Sequence, residues 1–180
     1  MQNSIVDQIS KKRAATLRRL QDRNVRFLGT ACQILRIDKG EIDVNGDYQE
    51  TLRTDLIENA IINHPFGGAV QLFSSYDAST MQYDTTALDL YEFLPITLKI
   101  PYSGDPTEIP VSLARDDLIV EVLQDEHENK IPLILQVTKL IGNITNKYIA
   151  GKHYELCLYR GELPPMIQDY ITRFINGELI

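Results

Sequence analysis

Residues 118–161, LIVEVLQDEHENKIPLILQVTKLIGNITNKYIAGKHYELCLYRG, decide the fold, because they alternate short apolar runs with short polar ones. Such runs bounded by turn residues are typical of β-strands. The last run places Tyr154, Leu156 and Leu158 on one side of a strand, since successive side chains point to opposite faces. Three strands joined by short turns are therefore predicted here.

An upstream segment, FLPITLKI at residues 93–100, alternates in the same way and adds a fourth strand. Its predicted apolar face consists of Leu94, Ile96, Leu98 and Ile100. Pro95 suggests an edge strand or a strand start, because proline cannot donate a ladder hydrogen bond. Four strands with short connections predict a mainly β fold, a small antiparallel β-barrel or sandwich with flanking helices.

The N-terminal segment predicts a helix that extends to about Asn24. Ser4 and Asp7 resemble a capping box, and the segment holds neither Gly nor Pro. Four cations share one face of this helix, namely Lys12, Arg19, Arg23 and Arg26. Three interpretations of this face stay open: a solvated surface, a docking face for an acidic protein surface, and a nucleic-acid contact.

Two further elements are predicted between this helix and the strands. Asn45-Gly46 between strand-like runs favours a hairpin with a two-residue type I′ turn. The segment TDLIENAIINHP, residues 54–65, spaces its apolar residues as a short helix ended by Pro65. The connections 76–92 and 101–117 are long for a compact domain, which favours partner contacts.

The C-terminal segment LPPMIQDYITRFINGELI predicts a short helix that starts at Pro164-Pro165 and stops at Asn176-Gly177. Its apolar stripe must pack on the barrel or on a neighbouring subunit, and it consists of Ile167, Tyr170, Ile171 and Phe174. The predicted organisation is a docking helix at residues 1–25, a barrel domain at 26–163 and an amphipathic helix at 164–180.

Charge is distributed unevenly along the 180 residues, which carry a net charge of −7. Residues 1–30 hold seven Lys or Arg against two Asp, a net charge of +5, so the remaining residues carry −12. An acidic body disfavours tight binding to nucleic acid, whose phosphates require cations. No apolar run is long enough for a membrane span and no secretory signal is recognised, so no membrane association and a cytosolic origin are expected.

The best candidate for chemistry is QDEHENK, residues 124–130, which packs Asp125, Glu126, His127 and Glu128 together. Neighbouring side chains at a hairpin tip diverge, whereas a zinc site needs ligands that converge. A solvated turn of four or five residues is therefore predicted. His64, His153 and Cys157 have no local partner that would make a ligand set or an activated nucleophile. We expect no catalytic residue, no cofactor and no metal.

Residues 113–161 resemble the barrel portion of tailed-bacteriophage neck proteins of the head-closure (stopper) or head-to-tail connector group. The resemblance lies in a strand, an acidic hairpin, a long apolar strand, a Gly-Asn turn and a returning Tyr-rich strand. It implies a barrel with long loops and a terminal helix, assembled as a ring between portal and tail, with double-stranded DNA passing through. The basic N-terminal helix departs from this pattern and leaves adaptor, stopper and tail-terminus roles open.

The function expected from this resemblance is structural. It implies a homo-oligomeric ring at the virion neck, assembled in the host cytoplasm, with portal or adaptor proteins and tail proteins as partners. Lys12, Arg19, Arg23 and Arg26, together with the C-terminal apolar stripe, are the predicted docking residues. The alternative is an oligonucleotide-binding-type barrel that holds nucleic acid or a peptide. Tyr148, Tyr154 and Tyr159, which lie near Lys147, Lys152 and Arg160, are the residues that favour it.

Overall fold

The computed structural model describes residues 5–42, 44–46, 48–64, 76–77, 79–80, 82–83, 96–101, 113–124, 127–128, 130–145 and 148–178. The elements in chain order are α1 (Ile5–Leu28), β1 (Thr30–Ile42), β2 (Tyr48–Asn63), β3 (Tyr76–Asp77), β4 (Gln82–Tyr83), β5 (Ile96–Ile100), β6 (Leu118–Gln124), β7 (Lys130–Thr145), β8 (Tyr148–Leu158) and α2 (Pro165–Ile175). The predicted mainly β fold with a helix at each end is confirmed.

Six strands form one antiparallel sheet that closes on itself in the order β1-β2-β5-β8-β7-β6. The pairing of β1 with β6, with Ile34 opposite Ile119, closes the ring. Strands β3 and β4 form a separate two-stranded ribbon. Much of the predicted connections 76–92 and 101–117 lies outside the described residues. A single closed sheet corresponds to the barrel alternative, since a sandwich needs two sheets.

Alternating side chains of the strands fill the interior of the closed sheet. On β5 the buried residues are Ile96, Leu98 and Ile100, as the alternation predicted, while Leu94 and Pro95 lie outside the described residues. Leu98 lies opposite Tyr154 of β8, and both belong to the interior cluster. The inward residues of neighbouring strands thus meet in one apolar core, which stabilises the fold through burial of apolar surface.

Strand β7 is buried on both of its faces, which explains why its first half is continuously apolar. Ile131, Leu133 and Leu135 point into the barrel, whereas Ile134 belongs to a second cluster on the outside of the sheet. Helix α2 covers that outside surface. A strand covered on two sides cannot show polar alternation.

Helix α2 packs its apolar stripe on the outer surface formed by β1, β6 and β7. Ile167 is 1% exposed and Ile171 is fully buried, in one cluster with Leu35, Val120 and Ile134. Pro occupies the first turn and Gly177, with φ +72°, follows the last turn, as the sequence predicted.

The prediction of a short helix at residues 54–65 is wrong, because residues 54–63 belong to β2. Ile57 and Ala60 are both buried with a spacing of three, which imitates a helix. A register shift between Thr30 and Cys32 on β1 produces this spacing, because Cys32 lies opposite Ile57 while Thr30 lies opposite Ala60. A bulge of this kind lets two residues of unlike parity face the same side.

The predicted hairpin around Asn45-Gly46 is present, but its connection is longer than the two-residue turn that we expected. Ile42 lies opposite Tyr48, so five residues connect the paired positions, and Gly46 has φ +91°. A register shift separates the pairs Lys39–Glu50 and Ile42–Tyr48. The resulting register is not the one that would close a two-residue turn.

Candidate functional site

Helix α1 packs on the closed sheet through small and polar side chains. It contacts β8, β2, β7 and β5, and its buried residues are Ser10, Ala14 and Val25. The helix extends to Leu28, beyond the predicted end near Asn24, because the Gly29 N–H donates to the carbonyl of Val25 at 2.8 Å and closes the last turn. We call this side of the helix the inner face.

Gln21 is the polar anchor of the inner face. Its Nε2 donates to the carbonyls of Ile100 and Lys152, at 3.3 and 3.4 Å, and its Oε1 lies 3.0 Å from Nε2 of His153. Burial beneath α1 lowers the pKa of His153, and the positive charge of Lys99 lowers it further. The helix is therefore attached to the barrel by directed hydrogen bonds in addition to the buried apolar side chains of Ala14 and Val25.

Most of the large apolar side chains of α1 point away from the barrel. Phe27 is 86% exposed and Ile5 is 76% exposed, and Ile9 and Leu20 are also exposed. These four positions lie on one side of the helix because their spacings of four, eleven and seven are close to whole turns. A helix normally buries such a strip, so the orientation of α1 leaves this apolar surface exposed.

The four predicted cationic residues lie beside this apolar strip, and the structure leaves all of them exposed. Arg23 lies between Leu20 and Phe27 along the helix, at spacings of three and four, which places all three on the same side. The outer face of α1 is thus defined as Ile5, Ile9, Leu20 and Phe27 together with Lys12, Arg19, Arg23 and Arg26. It combines positive charge with exposed apolar surface.

The second exposed feature is the distal part of the β1–β2 hairpin, residues 38–51, which we call the arm. Each residue of the arm that the structure describes is exposed, including Val44, which is fully so, and Ile42 and Tyr48 at 58% and 56%. Among the described residues, β1 pairs in this stretch with β2 alone, since its pairing with β6 covers only residues 33–35. A two-stranded ribbon gains little stability by itself.

The C-terminal stripe, which was predicted to dock a partner, is partly covered by the chain's own sheet. Ile167 and Ile171 are buried on the chain's own sheet, so a partner cannot reach them. Tyr170 and Phe174 are partly buried beside them, with ring centroids 6.3 Å apart in a stacked arrangement. The sequence predicted that the stripe packs on the barrel or on a neighbouring subunit, and the structure shows that it packs on the barrel.

An ion pair between Arg36 and Asp117 lines a groove of about 440 Å³ next to the start of α2. Arg36 Nε and Nη2 donate to the two carboxylate oxygens at 2.7 and 2.5 Å, and the Ala114 N–H donates to Oδ2 at 2.7 Å. Hydrogen bonding to Asp117 raises the pKa of Arg36. Because three donors bind this carboxylate, the pair holds β1 against the start of β6.

A second polar pair joins His64 to Glu121. His64 Nε2 lies 2.8 Å from a carboxylate oxygen of Glu121, and both side chains are largely buried. Burial, helped by the charge of Glu121, raises the pKa of the Cys32 thiol to about 12. Burial also raises the pKa of Cys157. Neither thiol is therefore activated as a nucleophile at neutral pH.

The stretch QDEHENK forms a turn, as predicted. Gln124 lies opposite Lys130, so the connection spans five residues, and Glu128 has φ +63°. His127 and Glu128 are exposed, while Asp125 and Glu126 lie outside the described residues. Within the described ranges, no three His, Cys, Asp or Glu side chains are grouped closely enough to hold a metal ion.

The tyrosines that favoured a nucleic-acid-binding barrel are not presented together. Tyr154 is 3% exposed and points into the interior. Tyr159 packs beside the α2 cluster, and its hydroxyl donates to the carbonyl of Glu162 at 3.2 Å. The side chain of Tyr148 lies outside the described part of the structure. Buried or self-satisfied rings cannot stack on bases.

Sequence reasoning missed the polar pairs that hold the fold together. Gln21 and His153 are 132 residues apart, and Arg36 and Asp117 are 81 residues apart, so no local pattern signals either contact. Sequence reasoning also missed the orientation of α1. The strip of small residues at positions 10 and 14, with Gln21, was the available signal for its inner face.

Within the described part of the chain, no helix combines the length and the apolar content needed to cross a membrane. The chain matches no protein-family model, and no curated protein or solved structure matches it. Function must therefore be argued from the exposed surfaces.

Proposed function

We propose that this chain is a structural virion component that forms a ring at the neck of a tailed bacteriophage. The ring joins the portal or an adaptor to the tail and surrounds the channel for double-stranded DNA. The observation that carries the proposal is the orientation of α1, whose cationic and apolar side faces away from its own barrel. Phe27 is exposed in the chain alone. A partner that covers it would remove its apolar surface from water, which would stabilise the complex.

The charge balance supports a channel role. Outside residues 1–30 the chain carries −12, and a negative wall repels the phosphates of passing DNA. A ring that held DNA tightly would oppose its movement, whereas repulsion leaves it free to slide. The closed sheet supplies a rigid unit for the wall, since it has an apolar core and no open edge in its pairing order.

The test is to co-express the chain with the proteins encoded beside it and to image the purified assemblies by electron microscopy. We expect ring-shaped particles in which this chain is present in many copies. The co-expression matters because a neck protein can stay monomeric until a neighbouring ring orders it. Absence of rings both in co-expressed material and in native particles would refute the proposal.

A second measurement separates this function from a nucleic-acid-binding barrel. We expect filter binding with single-stranded DNA at low salt to give weak retention only. Submicromolar retention that falls steeply with added salt is the result that a phosphate-binding surface would produce, and it would favour the binding module.

A further inference from the structure

We propose that the outer face of α1 in one copy packs on the arm of the next copy. This inference rests on the proposed function, in that it names the contact between neighbouring subunits of the ring. The occupant of the exposed helix face is thus a second copy of this chain. The two surfaces differ from each other, so each copy uses its helix toward one neighbour and its arm toward the other.

Opposite charges favour this pairing. Helix α1 holds seven Lys or Arg and two Asp, a net charge of +5. The arm holds one lysine, Lys39, and five carboxylates, a net charge of −4; these are Asp38, Glu41, Asp43, Asp47 and Glu50. Complementary potentials guide association and select the partner surface. Two helices facing each other, or two arms, would instead repel.

Apolar surface supplies the second component of the match. Phe27 and Ile5 on the helix are more than three-quarters exposed, and on the arm Val44 is fully exposed. Ile42 and Tyr48 of the arm are each more than half exposed. A contact that covers both sets removes apolar area from water on each partner. These described side chains of the outer face and the arm are exposed, whereas Ser10, Ala14 and Val25 on the inner face of the same helix are buried.

A contact between two unlike patches is compatible with a ring. A contact between different surfaces is heterologous, and copies added head to tail close into a ring when the rotation between them permits. A single helix–arm contact is small, because the arm is only a two-stranded ribbon. Repetition around the ring compensates, since each copy in a closed ring is held at two contacts.

The test is a charge exchange between the two surfaces. The helix variant carries Arg19→Glu and Arg23→Glu, and the arm variant carries Glu41→Lys and Glu50→Lys. All four side chains are exposed, so both variants should fold with unchanged circular dichroism. We expect each variant alone to lose self-association in sedimentation over a concentration series. A mixture of the two should associate again, because the unaltered helix of the arm variant, with a net charge of +5, can pack on the unaltered arm of the helix variant, with a net charge of −4.

The matched control carries Lys130→Glu and Arg173→Glu, two exposed cations outside both surfaces, with the same change in net charge as the helix variant. We expect it to associate as the wild type does. If the helix variant also associates normally, or if the mixture of folded variants stays dissociated, the helix–arm contact is wrong.

Cross-linking separates the failure of this contact from the failure of the ring. Equal amounts of unlabelled and ¹⁵N-labelled chain are treated with a carbodiimide, both alone and in the co-expressed assembly. We expect mixed-isotope cross-links between Lys12 and Glu41 or Glu50. Rings that carry only other cross-links would refute the contact and leave the ring function standing. Helix–arm cross-links in closed dimers, without rings in any preparation, would support the contact and refute the neck function. A wild-type chain that gives neither association nor these cross-links, both alone and in the co-expressed assembly, refutes the contact.

Discussion

The two helices in the described part of the structure, α1 and α2, are both amphipathic, yet they lie on the barrel in opposite ways. Helix α2 buries Ile167 and Ile171 on the outer surface of β1, β6 and β7. Helix α1 turns Ser10, Ala14 and Gln21 toward the sheet and exposes Ile5 and Phe27. Helix α2 thus uses its apolar stripe to stabilise the fold, whereas helix α1 leaves its apolar strip exposed on the surface.

The largest expected effect contrasts one apolar side chain from each helix. Ile167→Ala removes a side chain that is 1% exposed and leaves a cavity, so we expect the free energy of unfolding to fall by about 2–4 kcal/mol. Phe27→Ala, at 86% exposure, should change it by less than about 0.5 kcal/mol. Urea denaturation of the two variants measures both values. Equal losses would mean that α1 is held by its apolar strip after all.

The next effect concerns the joint between α1 and the barrel. A Cβ at Gly29 would lie 2.4 Å from the carbonyl oxygen of Val25 and 2.9 Å from the backbone nitrogen of Ala60. Backbone atoms cannot yield as a flexible side chain does, so Gly29→Ala should cost about 1–3 kcal/mol. Thermal unfolding gives the loss, with Thr30→Ala at the adjacent exposed position as the control. An unchanged melting temperature would show that the helix does not lie this close to β2.

A smaller effect tests the polar attachment of the inner face. Gln21→Ala removes hydrogen bonds to the carbonyls of Ile100 and Lys152 and leaves His153 without its partner. We expect a loss of about 1 kcal/mol together with faster amide exchange along α1. Asn24→Ala, at an exposed position of the same helix, is the matched control. Equal exchange rates in the two variants would contradict an anchoring role for Gln21.

The smallest effect is a dependence on pH. Burial and Lys99 lower the pKa of His153 in the folded chain below its ordinary value of about 6.5. As pH falls through that ordinary value, the unfolded chain takes up a proton while the folded chain does not. The free energy of unfolding therefore decreases until the lowered pKa of the folded state is reached.

Substitution separates this contribution from other titrating groups. We expect the decrease between neutral and mildly acidic pH to be smaller in His153→Asn than in the wild type, as followed by urea denaturation at each pH. A larger decrease in the variant would mean that protonation of His153 stabilises the attachment of α1, opposite to the expected sign.

Much of the barrel could be predicted from local pattern. The alternation at Ile96, Leu98 and Ile100 placed β5 correctly, and the acidic stretch at residues 124–130 marked the turn between β6 and β7. These signals are local, because a strand places every second side chain on the same face. Segment 54–65 was misassigned since a bulge between distant strands, and not its own sequence, sets the spacing of Ile57 and Ala60.

The candidate site was predictable only in part. The four cations of α1 share a face because helix periodicity alone fixes their positions, and the structure leaves them exposed. The apolar half of that face, with Leu20 and Phe27, was not predicted as exposed. Large apolar residues are normally expected to face the interior. In α1 they face outward, because Ala14 and Gln21 on the opposite side of the helix fit against the sheet.

By itself the sequence determined the strands of the second half, both helices and the contrast between a basic start and an acidic body. The tertiary structure alone decided that β1 and β2 join these strands to close the sheet, that α2 covers β7, and which side of α1 faces outward. Periodicity is a property of neighbouring residues. The choice of face depends on groups far away in the chain, such as the carbonyls of Ile100 and Lys152 that bind Gln21.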